Sequence, residues 1–214
     1  MKNDNNLYYH FIDEIKNNET PVRFSKGDTI FKEGSPVKHL FYLQKGLIKL
    51  VKEKPEEEFI VSIIHNDTFF GLSSSYSTDK FHVSAYALDE SYVNYIEIGY
   101  FRSLIRSDGY FAEQFIKVGI NIEMGIINRM ISLFGKQLPG KLSESLLFFS
   151  DVIFKNNSFF IPLNRQELAN YIGVSVKSLN KTLKDFHNDG LIEIKKNEIH
   201  ILKKEVLLRL SKTG

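Results

Sequence analysis

The residues best suited to chemistry lie in one stretch near the C-terminus. Arg165, Gln166, Ser175, Lys177, Ser178, Asn180, Lys181 and Lys184 recur there at helical spacing, with Val176 among them. Lysine donates to guanine O6 and N7, asparagine pairs with adenine, and serine serves a base edge or a phosphate. Lys195 and Lys196 follow a little further on. With Arg165 and Gln166 they suit phosphate oxygens, which position a protein on a duplex without reading its sequence. Taken singly, any of these lysines could be only a solvated charge. The remaining candidates are scattered. His39, His65 and His82 are each candidate axial ligands for haem, and an ordinary surface or core histidine is the plainer alternative. The chain has no cysteine, which excludes disulfides, thiolate zinc sites, cysteine-ligated iron–sulfur clusters and a cysteine nucleophile. No metal site is expected.

The elements that must carry the C-terminal residues are two short helices joined by a turn. Asn164 can cap the first, with Glu167 three residues on to complete a capping box. Leu168 and Ile172 face inward at i and i+4, and Ala169 is small where a second helix must cross closely. Gly173 suits the turn, where positive φ is cheap only for glycine. Ser175 can cap the second helix, whose inward face is Leu179 and Leu183. This pattern predicts a helix-turn-helix over Leu163 to His187, with the N-terminal residues of its second helix entering the major groove of duplex DNA. An αα-hairpin that packs without touching nucleic acid is the alternative. The hairpin Leu191–Ile194 and Glu198–Ile201 then alternates around Lys195-Lys196-Asn197, and a last helix runs from Lys204 to Leu210. From Lys155 onward there are eleven Lys or Arg against six Asp or Glu, while the rest of the chain is mildly acidic. A basic C-terminal quarter suits a domain set against phosphates.

Upstream, Leu7, Phe11, Ile12 and Ile15 predict a short amphipathic helix, and from Val22 to Glu97 seven or eight short β-rich runs alternate with turn residues. Such spacing predicts an antiparallel sandwich or barrel. From Tyr100 to Phe134 the period is helical. Phe115, Gly119, Ile122, Ile126, Met130 and Leu133 step almost as an a/d seam, and Ile116, Ile120 and Ile127 add a second apolar face. A long helix apolar on two sides needs two surfaces, and the same helix of a second subunit is the simplest second one. The first six residues are the expected dimer seam, the alternative being a core helix of a monomer. The chain thus divides into residues 1–99, a helix with an antiparallel β-roll; residues 100–136, a dimerisation helix and hinge; and residues 137–214, a winged helix-turn-helix. The class is α+β. No apolar run is long enough to span a membrane, and residues 1–9 lack the charge and apolar pattern of a signal peptide, so the cytoplasm is the expected location.

The chain resembles the Crp/Fnr family of transcription regulators. The resemblance rests on Arg165-Gln166-Glu167-Leu168-Ala169 followed by Ile172-Gly173-Val174-Ser175, on Asp189-Gly190-Leu191-Ile192 at the wing, on Phe31 to Pro36 and Phe41 to Gly46 in the roll, and on Phe69-Phe70-Gly71. It implies an effector-binding jelly roll of the cyclic-nucleotide-binding type, a dimerisation helix, a winged helix on DNA, and RNA polymerase as a further partner. It also implies an effector pocket around Gly71, Leu72, Ser73, Ser74, Phe81, His82 and Ser84, with Met124 and Asn128 reaching it from the long helix. Members that bind cyclic AMP place a Gly-Glu pair on the ribose and an Arg-Ser pair on the cyclic phosphate. This chain has Gly71-Leu72 and Phe81-His82 there. An apolar group cannot pair with a buried anion, so cyclic AMP is not the expected effector, and another small molecule, haem or no effector at all stays open. The recognition helix carries Val176-Lys177 and Lys181 where members reading the best-known half-site carry an Arg-Glu pair and a later Arg, so a different operator is expected.

Two readings compete from other classes. A cupin-like metal enzyme needs clustered ligands, and the three histidines are not so spaced; no phosphate-binding loop or serine–histidine signature appears either, so no enzyme activity is expected. A protein-interaction module would use the winged helix without DNA.

Overall fold

In the computed structural model, the residues described are 19–54, 57–77 and 79–213. The amphipathic helix expected between residues 7 and 17 lies outside them. The chain separates into two compact units, residues 1–126 and 127–214.

The first unit begins with eight strands: β1 (Glu19–Phe24), β2 (Thr29–Phe31), β3 (His39–Lys45), β4 (Leu47–Lys54), β5 (Glu57–His65), β6 (Thr68–Phe70), β7 (Ser84–Ala87) and β8 (Ser91–Glu97). They form two four-stranded sheets, ordered β1-β8-β3-β6 and β2-β7-β4-β5, with every pairing antiparallel. Alternation along β3 explains how its apolar run is used. Side chains two apart share a face, so Phe41 and Leu43 enter one core with Phe31, Ile48, Phe70 and Phe81. Leu40 and Tyr42 enter a second core on the opposite face, with Phe69, Ile96 and Phe101. A strand buried on both faces reads as continuously hydrophobic. Gly46, between β3 and β4, sits at φ 118°, and an added Cβ would come within 2.6 Å of the Ser91 Cα. No side chain fits at that turn.

Strand β6 and a short helix, α1 (Leu72–Ser77), are additions to the sequence pattern, which gave Phe69 to Ser74 only to the pocket. The expected single helix from Tyr100 to Phe134 is two. Glu97 caps α2 (Ile98–Ser107), its carboxylate accepting the N–H groups of Gly99 and Tyr100 at 3.0 and 2.7 Å. Those two donors hold the Glu97 carboxyl below its ordinary pKa. Asp108 then breaks the chain with extended backbone, and its carboxylate accepts from Tyr110 and Phe111 at the start of α3 (Gly109–Gly135).

Helix α3 corrects the expected seam at Phe115. Phe115 is 3% exposed and lies in the second core, 4.6 Å from the Phe101 ring and 5.1 Å from the Phe69 ring. Gly119 faces Leu72, 3.4 Å from where a Cβ would stand. Phe115 is thus covered by its own chain, and half-buried Gly119 packs on Leu72. Ile122, Ile126 and Leu133 are half-buried, and Met130 is exposed. The open apolar row is instead Ile116, Ile120, Met124, Ile127, Ile131 and Phe134, with Phe134 85% exposed. From Ile120 on, the row steps by four, three, four and three, the spacing of an a/d seam. The second apolar face in the sequence is therefore the uncovered one.

The second unit continues with α4 (Leu138–Phe148), started by Pro139 in its first turn, and one π-helical turn over Phe149–Ile153 that closes with the Phe154 N–H on the Phe149 carbonyl. Then come β9 (Ser158–Phe160), α5 (Arg165–Ile172), α6 (Val176–Asn188), β10 (Ile192–Lys195), β11 (Glu198–Ile201) and α7 (Lys204–Thr213). The small sheet runs β10-β11-β9, all antiparallel. Leu146, Phe149, Leu168, Leu179, Ile192 and Leu207 are each at most 1% exposed in this unit.

Candidate nucleic-acid interface

The turn between α5 and α6 is built locally. Asn164 Oδ1 accepts from the Glu167 N–H at 2.9 Å, and the Glu167 carboxylate accepts from the Asn164 N–H at 2.8 Å, a reciprocal box. Gly173 ends α5 at φ 67°, with its N–H on the Ala169 carbonyl. Ser175 Oγ accepts from the Ser178 N–H at 3.1 Å and donates to the Ser178 hydroxyl at 2.9 Å. Leu179, Leu183 and Phe186 are buried at i, i+4 and i+7, which fixes what α6 turns outward.

The outward set is Lys177, Ser178, Asn180, Lys181 and Lys184, all exposed, with Ser175 exposed at the cap and Val176 half-buried beside it. Lys177, Lys181 and Lys184 again step by four and three, so they form one stripe opposite the buried leucines. Among the described residues none of the three is in an ion pair. The flanking groups are more engaged. Arg165 is half-buried, and desolvation lowers its pKa from the ordinary value. Gln166 donates to Asn170 Oδ1 at 2.8 Å. Lys195 pairs with Glu193 at 3.0 Å, which pulls the Glu193 carboxyl down. Lys196, at the tip of the β10–β11 hairpin, is exposed with φ 56°.

A group that the sequence pattern did not single out lies behind this surface. Arg129 of α3 donates to the Tyr171 carbonyl in the last turn of α5, and its guanidinium carbon stands 3.7 Å from the Tyr171 ring centroid. Ser132 donates to the Glu144 carboxylate, which also receives Lys136 at 3.0 Å. The one available signal was a lone arginine within the apolar run Gly125 to Phe134.

The region expected to hold an effector is packed with aromatic rings. Phe81 is 4% exposed and stacks on Phe31 at 3.9 Å between centroids, with Phe41 at 5.9 Å. Gly71 takes φ 83°, and a Cβ there would stand 3.2 Å from Phe41 and 3.4 Å from Phe81. Ser74 is buried and its hydroxyl accepts the His82 N–H. Buried Ser84 accepts the Glu33 N–H at 3.0 Å. Leu72 is half-buried, whereas Ser73 and the His82 side chain are exposed. Met124 is exposed on α3, and Asn128, also exposed, already belongs to the second unit. The candidate haem ligands sit on separate elements: His39 on β3 beside Tyr95, His65 at the end of β5, and His82 between α1 and β7. Among the described residues no group of three or more His, Asp or Glu could hold a metal ion, and no helix is long and apolar enough to cross a membrane.

Comparison with known proteins agrees with this layout. Residues 21–108 match the cyclic nucleotide-binding domain, and residues 140–210 match the Crp-like helix-turn-helix domain. A CRP-like cAMP-activated global transcriptional regulator of Mycobacterium tuberculosis is 25% identical over 194 residues, covering 88% of this chain and 87% of that protein. Electron transport regulator A of Shewanella oneidensis is 28% identical over 200 residues, covering 89% and 77%. Among solved structures, FixK2 of Bradyrhizobium japonicum superposes with a TM-score of 0.82 at 16% identity, over 92% of this chain and 98% of that one. TTHB099 of Thermus thermophilus, a CRP-family transcriptional regulator, gives 0.77 at 19% identity, over 90% and 97%. At those identities the structural likenesses establish the fold.

A β-roll of the cyclic-nucleotide-binding type, a long helix and a Crp-like helix-turn-helix define a class of transcription regulator. The chain belongs to the Crp/Fnr family of DNA-binding transcription regulators.

Proposed function

We propose that this regulator binds paired DNA half-sites as a homodimer and reads them with the exposed face of α6. The observation that carries the reading is the stripe Lys177, Lys181 and Lys184, three exposed cations that form no ion pair among the described residues, on a helix whose other face is locked into the core. Lys177, Ser178, Asn180 and Lys181 reach base edges, with Val176 offering an apolar contact. Lys184, Ser175, Arg165, Gln166, Lys195 and Lys196 serve the backbone. The dimer forms through the row Ile116 to Phe134 on α3, with exposed Met130 at its margin. The protein works in the cytoplasm, meets RNA polymerase at the promoters it binds, and carries out no catalysis of its own.

The effector reading follows from the roll. Phe81 fills its place with a stacked ring, and Leu72 offers no carboxylate, so the roll takes no cyclic AMP. An effector seated near Gly71, Ser73, Ser74, His82 and Ser84 is an apolar or aromatic small molecule.

Selection of bound DNA from a random pool, with purified protein and no added ligand, supplies the operator. Lys181→Glu is then expected to weaken binding to it at least about tenfold. It also flattens the salt dependence by about one unit of log–log slope for each phosphate that the variant no longer engages. A Lys181→Glu protein that binds the selected DNA normally sinks the assignment of α6 as the reading helix.

A further inference from the structure

The last turns of α3 present two opposite faces within the second unit. Ile127, Ile131 and Phe134 belong to the uncovered row. Arg129, Ser132 and Lys136 grip the domain that carries the recognition helix, Arg129 at Tyr171 and the other two at Glu144. At about 100° per residue, the mean directions of these two sets are roughly half a turn apart. A side chain on one is therefore rigidly indexed to the other.

Arg129 is suited to that task for three reasons. The Tyr171 carbonyl lies in the final turn of α5, where the last four carbonyls lack an intrahelical partner. A guanidinium satisfies it and adds positive charge at the negative end of the helix dipole. The planar cation also stacks over the Tyr171 ring. That fixes direction as well as distance. Tyr171 is only two residues before the turn glycine, Gly173, and five before the start of α6. A hold at Tyr171 is thus a hold on the base of the reading helix.

We propose that Arg129 is a positioning residue for DNA recognition, pinning the helix-turn-helix to the end of α3 and so setting the distance and phase between the two recognition helices of a dimer. This rests on the dimeric reading given above. Without the pin, each domain still reads its half-site, but the pair no longer measures the gap between half-sites. Half-sites one turn of duplex apart repeat every 10 to 10.5 base pairs, so one extra pair rotates a half-site by about 35°.

The test uses the full chain and the selected operator in three forms: a single half-site, the intact operator, and operators with one or two base pairs added between half-sites. Arg129→Ala is expected to stay dimeric and to bind the single half-site within about twofold of the native chain. Its preference for the native gap falls from about tenfold to about twofold or less, since a misphased half-site costs binding on the scale of one wrong base contact. Arg129→Lys keeps the charge but not the planar stack, and gives an intermediate preference. Tyr171→Phe keeps both ring and carbonyl and must behave as the native chain. If Arg129→Lys folds and retains the full preference, the proposal is wrong. It is equally wrong if either Arg129 variant loses half-site binding in step with operator binding, because the residue then merely holds the domain together. A native chain that is monomeric, or that shows no gap preference, overturns the dimeric reading as well and is seen before any variant is made.

Discussion

On the effector reading proposed above, Phe81 and Leu72 decide what the roll can recognise. A buried ring stacked at 3.9 Å on Phe31 supplies dispersion and no donor, and a cyclic phosphate placed against it would lose its hydration without gaining a partner. Millimolar cyclic AMP is therefore expected to leave the melting temperature of the first unit unchanged. A ligand at about a hundred times its Kd would add about 2.7 kcal/mol and raise it by several degrees; such a rise, seen by calorimetry, would refute the reading. At this scale the sequence was legible wherever chemistry is local. Asn164, Glu167, Gly173 and Ser175 lie within a dozen residues; the side chains of Asn164, Glu167 and Ser175 bond the backbone next to them, and Gly173 supplies the left-handed turn. Arg129 was not legible, because its partner Tyr171 is 42 positions away and offers a carbonyl that every residue has.

Among the elements, α3 shows what periodicity can and cannot tell. Both apolar faces are visible in the sequence, but periodicity does not say which one the roll covers. Phe115 and Gly119 turn to β6, α1 and α2; β6 and α1 are too short to show a pattern of their own, and α2 merged with α3 into one helical period. Asp108 likewise hides its role, since an aspartate that caps a helix and one exposed along it look alike until the extended backbone is seen. The correction moves the test of dimerisation. Ile131→Asp, on the open row, is expected to yield monomers by light scattering and to cost operator affinity more than half-site affinity. A dimer of unchanged mass would show that the row meets something else. The π turn at Phe149–Ile153 left no mark in the sequence, since one extra residue per turn is indistinguishable there from a helix ending early.

Across the whole molecule, two units each bury their own core. The broad layout was readable because a shift from period two to period 3.6 is a long-range signal that averages over many residues. Charge follows the same division, with the excess of Lys and Arg confined to the C-terminal part. Separate cores predict separate melting, outside the two-state approximation. Operator DNA should raise the transition of residues 127–214 and leave that of the roll where it is, as read by calorimetry with and without DNA. A single transition that moves as a whole would show that the units unfold as one.

The opposed faces of α3 bear on how such a chain tolerates change. Substitutions along the helix alter affinities one side chain at a time. Adding a single residue ahead of Arg129 is a different kind of event, for it turns everything beyond by about 100° and advances it by about 1.5 Å. Seven added residues nearly restore the angle while lengthening the arm by about 10 Å. On the dimeric reading proposed above, the count of residues from Ile127 to Lys136 is thus inherited information in its own right, a ruler written in length. Relatives that drift freely in letters should keep that count or change it by whole heptads.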